Sequence, residues 1–167
     1  MPQVHADFHE MGSGSTYFFP PGAEPWHEVI TPWQKKFHAL TGKKSAELFN
    51  PRFRLYYTKD NFDLFCPSFG DTWPLFNGAM GFTFEQGGGA QAGLSVARNE
   101  TDTLTFEERV EGHFLASMAV VATAAENSEK LMKNFYEFFS TASSKPVFIY
   151  KTVIIKGTAD AASLESL

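Results

Sequence analysis

The stretch FEERVEGHFL, residues 106–115, is where a reading of the fold has to commit itself. Taken at a period of two it is a strand, with Phe106, Glu108, Val110, Gly112 and Phe114 on one side and Glu107, Arg109, Glu111, His113 and Leu115 on the other. The second row gathers two carboxylates, a guanidinium and an imidazole. Such a row is either a solvated face of cross-strand ion pairs or the wall of a polar pocket. Its continuation into Leu115 is odd for a wholly wet face, and both readings stay open. In a pocket, His113 has the chemistry of a general acid or base, because imidazole titrates near neutrality, and Glu111 on the same row can orient it.

Downstream, LASMAVVATAA (115–125) either extends that strand or forms a buried one of its own; periodicity does not separate the two. Ser128 and Glu129 open a helical segment carrying Leu131, Met132, Phe135, Phe138 and Phe139, which breaks at Ser143-Ser144-Lys145-Pro146. VFIYKTVIIK (147–156), β-branched and aromatic almost throughout, is the strongest strand pattern in the chain. Residues 158–167 read as a polar, disordered tail.

Upstream, LSVAR (94–98) pairs with the strand that opens at Leu104 across a turn at 99–102. The glycine-rich EQGGGAQAG (85–93) reads as a mobile hairpin or lid, since it lacks the Lys-Ser/Thr ending of a phosphate loop. Asp71 caps a short helix carrying Trp73, Leu75 and Phe76. RFRLYYT (52–58) alternates as a strand, with Phe53, Leu55 and Tyr57 opposite Arg52, Arg54 and Tyr56. A helix is predicted over 25–40, kinked at Pro32 and stopped by Thr41-Gly42, with a further short turn at 44–49. Residues 1–23, rich in Gly, Ser and Pro, read as a flexible arm; His5 and His9 lack a third ligand, and no metal site is expected.

At 167 residues the chain suits one domain, taken as 24–157. Its net charge of −5, without a basic cluster, argues against nucleic acid as a partner. No run is long and apolar enough to span a bilayer, and the first residues do not form a signal peptide. A single cysteine, Cys66, suits a reducing cytoplasm and lacks a His or basic neighbour in sequence to activate it. The aromatic load, 18 Phe with 3 Trp and 5 Tyr, fills a core or walls an apolar ligand cavity.

Further candidates follow from residue type. Asp63, inside the apolar NFDLF, would have a raised pKa if buried, which suits proton transfer, although a turn role serves it equally. Tyr56 or Tyr57 can donate to an oxyanion, or simply sit in the core with a satisfied hydroxyl. Arg54 can bind a carboxylate or pair with a surface acid. His27 and Trp26 are placed at a cavity mouth, with Trp73 and Phe76 as apolar contacts, and His38 is expected to be exposed.

The order of a Trp-rich opening helix, ELFNPRFRLYYTKDN as the first strand region, a short helix at GDTWPLFNG and long strands after it resembles the cone-shaped NTF2-like fold, and within it the SnoaL-like small enzymes, over residues 24–157. The resemblance implies an α+β domain whose curved antiparallel sheet packs against N-terminal helices and encloses an apolar pocket. It further implies a homodimer through the outer sheet face and cofactor-free isomerase, cyclase or dehydratase chemistry using His, Asp/Glu and Tyr. Two departures, the helical stretch at 129–139 and a missing Gly-Lys-Trp ending, leave a lipocalin-like barrel or a ferredoxin-like dimer as other layouts. The expected protein is a cofactor-independent acid–base enzyme for a hydrophobic aromatic or polycyclic molecule; the competing expectation is a non-catalytic ligand-binding or dimeric module.

Overall fold

The computed structural model describes residues 2–89 and 93–144. It is a mixed α+β arrangement: β1 (Val4–Met11), β2 (Tyr17–Phe18), α1 (Pro32–Phe49), a 3-10 turn (Asn50–Arg52), α2 (Thr72–Phe76), β3 (Met80–Gly87), β4 (Ser95–Ala97), β5 (Thr103–Thr105), α3 (Phe106–Glu126) and α4 (Ser128–Ser144). The strand expected at 147–156, the tail and the domain limit at 157 lie outside the described residues.

β3 is the centre of a three-stranded sheet in the order β1-β3-β2. β1 runs parallel to it, Val4 opposite Met80 and Met11 opposite Gly87. β2 runs antiparallel, with Tyr17 opposite Gln86 and Phe18 opposite Glu85. Two expectations are corrected here. The opening residues are not a loose arm, because VHADFHEM alternates apolar and polar side chains and β3 supplies backbone partners along its full length. Nor is the sheet wholly antiparallel, as its longest pairing is parallel. Glu85 and Gln86, read from sequence as part of a glycine-rich lid, close the central strand instead.

Alternation gives this sheet two unlike faces. Phe82 and Phe84 are fully buried toward the helices, with Phe84 stacked on Phe8 at 4.9 Å and Phe82 near Phe37 at 5.9 Å. Asp7, His9, Thr83 and Glu85 point the other way. The core on the helical side joins Tyr17, Phe19, Trp33, Phe37, Phe49, Leu115 and Val120 to those phenylalanines. Among the described residues, Phe18, Phe19, Phe37, Phe49, Phe82 and Phe84 are the buried phenylalanines, and their large apolar area is a main contribution to the core.

FEERVEGHFL is a helix, not a strand. Thr105 accepts from the Glu108 N–H at 3.1 Å and the Glu108 carboxylate accepts from the Thr105 N–H at 2.8 Å, which closes a capping box at the first turn of α3. Arg109, Gly112, Leu115, Ala116, Ala119, Val120 and Thr123 are then buried at helical spacing. Gly112 faces the Gln86 amide and the Tyr17 ring, where a Cβ would force the Gln86 side chain to move, so the glycine eases the close approach of α3 to the sheet. LASMAVVATAA continues the same helix, in keeping with the high helix propensity of its alanines.

α1 also differs from its reading. Trp26 and Val29 precede it; it starts at Pro32, where the missing N–H costs nothing, behind a second capping box between Thr31 and Gln34. Gly42 does not stop the helix but lies against the Pro20 carbonyl, 2.1 Å from where its Cβ would be. The strand expected at 52–58 is the end of the 3-10 turn followed by irregular chain, with Tyr57 bridging to Phe18. Asp71 precedes α2 without a capping hydrogen bond from its side chain. The short β4–β5 pairing and the helix over 128–144 match their readings.

Candidate functional site

The outer face of the sheet floors a cleft of about 530 Å³, a volume ordinary for a small-molecule site. Asp7 and His9 come from β1, Thr83 and Glu85 from β3, and Phe62, Asp63, Phe69 and Asp71 from the segment before and at the start of α2. Parallel pairing sets His9 directly beside Glu85, and Asp7 beside Thr83. The cleft therefore holds four carboxylates and one imidazole between two phenyl rings.

Within it, His9 Nε2 lies 2.9 Å from Asp7 Oδ2. That bond, with the negative charge of Asp7, Glu85 and Asp71 behind it, raises the His9 pKa above that of an ordinary imidazole, burial opposing this. Glu85 is 9% exposed, and its Oε2 has no hydrogen-bond partner. Burial pushes its pKa up, the charge on His9 opposing this. Asp71 is also raised by burial, with hydrogen bonds from Thr83 and the Thr72 backbone pulling it back. An acid that holds its proton more firmly and a carboxylate made more basic thus occupy adjacent strand positions.

The residues singled out from sequence do not converge. His113, on α3, faces the opposite side of the sheet: its Nδ1 is 2.9 Å from the Tyr17 hydroxyl and its ring meets the edge of Phe8 at 5.2 Å. Burial lowers its pKa, so it is a neutral core histidine. Glu111 does not orient it, because two residues along a helix is a turn of about 200°; Glu111 pairs with Arg52 at 3.2 Å and Arg54 at 3.4 Å. Arg54 is thereby committed to α3, also reaching the Glu108 carbonyl. Tyr56 donates to Asn50 Oδ1 at 3.1 Å and stacks near Phe19. Tyr57 donates to Met11 Sδ at 3.1 Å, and burial raises its pKa.

His27 accepts from the Val29 N–H and packs on Phe76 at 4.7 Å. Trp26 leans on His38 at 5.2 Å, and Trp73 is 62% exposed. His38, expected at the surface, is fully buried between Trp26 and Phe82, which drives its pKa down to about 3. Of the sequence candidates only Asp63 lines the cleft, exposed and accepting from the Phe65 N–H at 3.1 Å, the turn role rather than a buried acid. Asp7, His9, Asp71 and Glu85 were missed. The signal for Asp7, His9 and Glu85 was the period of two in HADFH and GFTFE, which puts them on the face opposite Phe8, Phe82 and Phe84; Asp71, outside both stretches, had no such signal.

A more apolar groove of about 550 Å³ runs between the start of α1 and α4, but among the described residues its only titratable side chains are Glu28 and Glu137. Among the described residues no group of His, Cys, Asp and Glu is arranged to hold a metal ion, and no helix is long and apolar enough to cross a membrane. Compared with known proteins, the chain matches no family model, no curated protein and no solved structure.

Proposed function

We propose that the protein is a cofactor-independent acid–base enzyme whose active site is the cleft on the outer face of the sheet. The observation that carries this is the buried Glu85 carboxylate, whose Oε2 has no hydrogen-bond partner, beside the His9–Asp7 pair. Glu85 takes a proton from a carbon next to a carbonyl, and the His9 imidazolium donates to the oxygen on which negative charge develops. Asp7 holds the imidazole ring and favours its protonated form. Return of the proton from Glu85 to a different carbon completes an isomerisation; loss of a hydroxyl protonated by His9 completes a dehydration. Phe62 and Phe69 suit an aromatic substrate, and four carboxylates favour one that is neutral or cationic.

This keeps the reaction class expected from sequence and moves it to different residues. It does not lean on the NTF2-like cone, for which a mixed three-stranded sheet is no support. A cytoplasmic setting fits the exposed thiol of Cys66. The excess of carboxylates over imidazole favours a second reading, a non-catalytic receptor for a cationic ligand.

β-Tetralone in deuterated water separates the two, with proton NMR following exchange beside the carbonyl. We expect wild-type exchange above buffer, a loss of about 10²–10⁴-fold in Glu85→Gln and in His9→Asn, and no change in His113→Asn. Equal exchange in all four proteins refutes the enzyme reading. Saturable binding of a naphthylmethylammonium probe without exchange would support the receptor.

A further inference from the structure

α3 is apolar on both sides. Its buried face lies on the sheet and α1, yet from Gly112 to Ala125 no residue except His113 can carry a charge. The outward side shows Phe106, Val110, Phe114, Met118 and Val121, each 45–61% exposed. At about 100° per residue these fall within a stripe roughly 120° wide and about 22 Å long. A helix apolar all round is normally covered all round.

We propose that a second copy of this chain covers the stripe, the two α3 helices crossing antiparallel about a two-fold axis at Phe114. The spacing argues for this occupant. Val110 and Met118 lie four residues before and after Phe114; Phe106 and Val121 lie eight before and seven after. A two-fold at Phe114 therefore places Phe114 on its own copy, Val110 on Met118 and Phe106 near Val121, which is the self-complementarity an isologous interface needs. Ser117, Ala124 and Ala125 between the large side chains leave grooves for the partner's ridges.

Charge selects the direction. Glu107 lies on the same side of the helix, and parallel pairing would bring it against its own copy. Antiparallel pairing sets it near the uncharged C-terminal half of the partner helix, about 21 Å from the other Glu107 and well beyond a Debye length of about 8 Å. Covering five half-exposed large side chains removes roughly 500 Å² per chain and roughly 1,000 Å² in all, the lower edge of what a specific dimer buries. The association is accordingly a weak one, in exchange with monomer. It leaves the cleft open, because the cleft and α3 lie on opposite faces of the sheet.

Sedimentation velocity of the full chain from micromolar to hundreds of micromolar tests the proposal, together with single cysteines introduced in a Cys66→Ser background. We expect dimer to grow with concentration and Phe114→Glu to be monomeric with an unchanged circular dichroism spectrum. Phe114→Cys should form a disulfide with itself. Val110→Cys alone should not, while an equimolar mixture of Val110→Cys and Met118→Cys should. A monomer at every concentration overturns the proposal in favour of cover from within the chain. A dimer indifferent to Phe114→Glu places the interface elsewhere, and self-crosslinking of Val110→Cys makes the helices parallel; either result overturns it as well.

Discussion

His9 and His113 stand on opposite faces of the same sheet, and their surroundings push them in opposite directions. On the outer face, the Asp7 carboxylate at 2.9 Å holds a proton on His9. On the helical face, burial among Phe8 and Tyr17 strips one from His113, and the same burial raises the Tyr17 phenol. Identical side chains thus become an acid in one place and a packing element in the other. What separates them is the sheet itself: His9 points from β1 into the outer cleft, whereas His113 comes from α3, packed on the other face, where Phe8 and Phe84 alternate with the cleft residues.

The harshest way to break that contrast is to cut the core face. Phe82 is fully buried against Phe37, His38 and Phe84, so Phe82→Ala should destabilise the fold by about 3–5 kcal/mol in urea unfolding. Its neighbour on the cleft face is the control: Thr83→Ala loses only a hydrogen bond to Asp71 and should cost about 1 kcal/mol. Comparable losses at both positions would mean the two faces are not as unlike as their burial.

Acid should attack the core face next. His38 has an ordinary pKa of 6.5 when unfolded and about 3 when folded. The unfolded chain therefore binds a proton that the native one refuses. The stability this contributes is complete above pH 6.5 and is lost as pH falls toward 3, by up to about 1.4 kcal/mol per pH unit. His38→Leu should flatten that slope in unfolding curves taken across this range. An unchanged slope would show that another group governs it.

Tyr17→Phe removes the hydroxyl that meets His113 Nδ1 and leaves a half-buried nitrogen without that partner. About 1 kcal/mol of stability should go, while deuterium exchange in the cleft is kept. Loss of exchange at unchanged stability would return the chemistry to the helical face.

The capping boxes explain how the sequence came to be read on the wrong element. In 106–115 the alternation of charge also fits a helix, since Phe106, Val110 and Phe114 are four apart, and the deciding residue was Thr105, one place outside the window. Pro32 was likewise legible as a helix start once Thr31 and Gln34 are seen to cap each other. The α+β class, the β4–β5 hairpin and α4 followed from local pattern alone. The pairing of β1 with β3 did not, because strands whose partners, such as Val4 and Met80, are 76 residues apart carry no mark of which partner each will find, and the cleft exists only through that pairing. His9 and Glu85 were each visible as a polar residue between phenylalanines. That they are neighbours was not.

The finest comparison is between the two carboxylates that could serve as partners for a histidine. Asp7→Asn removes the hydrogen-bonding anion from His9, so the His9 pKa should move down toward that of an ordinary imidazole. Glu111→Gln should leave both imidazoles unmoved in an NMR titration, because Glu111 faces Arg52 and Arg54, about 200° around the helix from His113. It should cost under about 1 kcal/mol of stability, the ordinary worth of an exposed ion pair. A shift of His113 in Glu111→Gln would mean that residues 106–115 form the strand their alternation suggests. Its absence, together with a shift of His9 in Asp7→Asn, would assign proton chemistry to the outer face of the sheet by the one property in which its two faces differ.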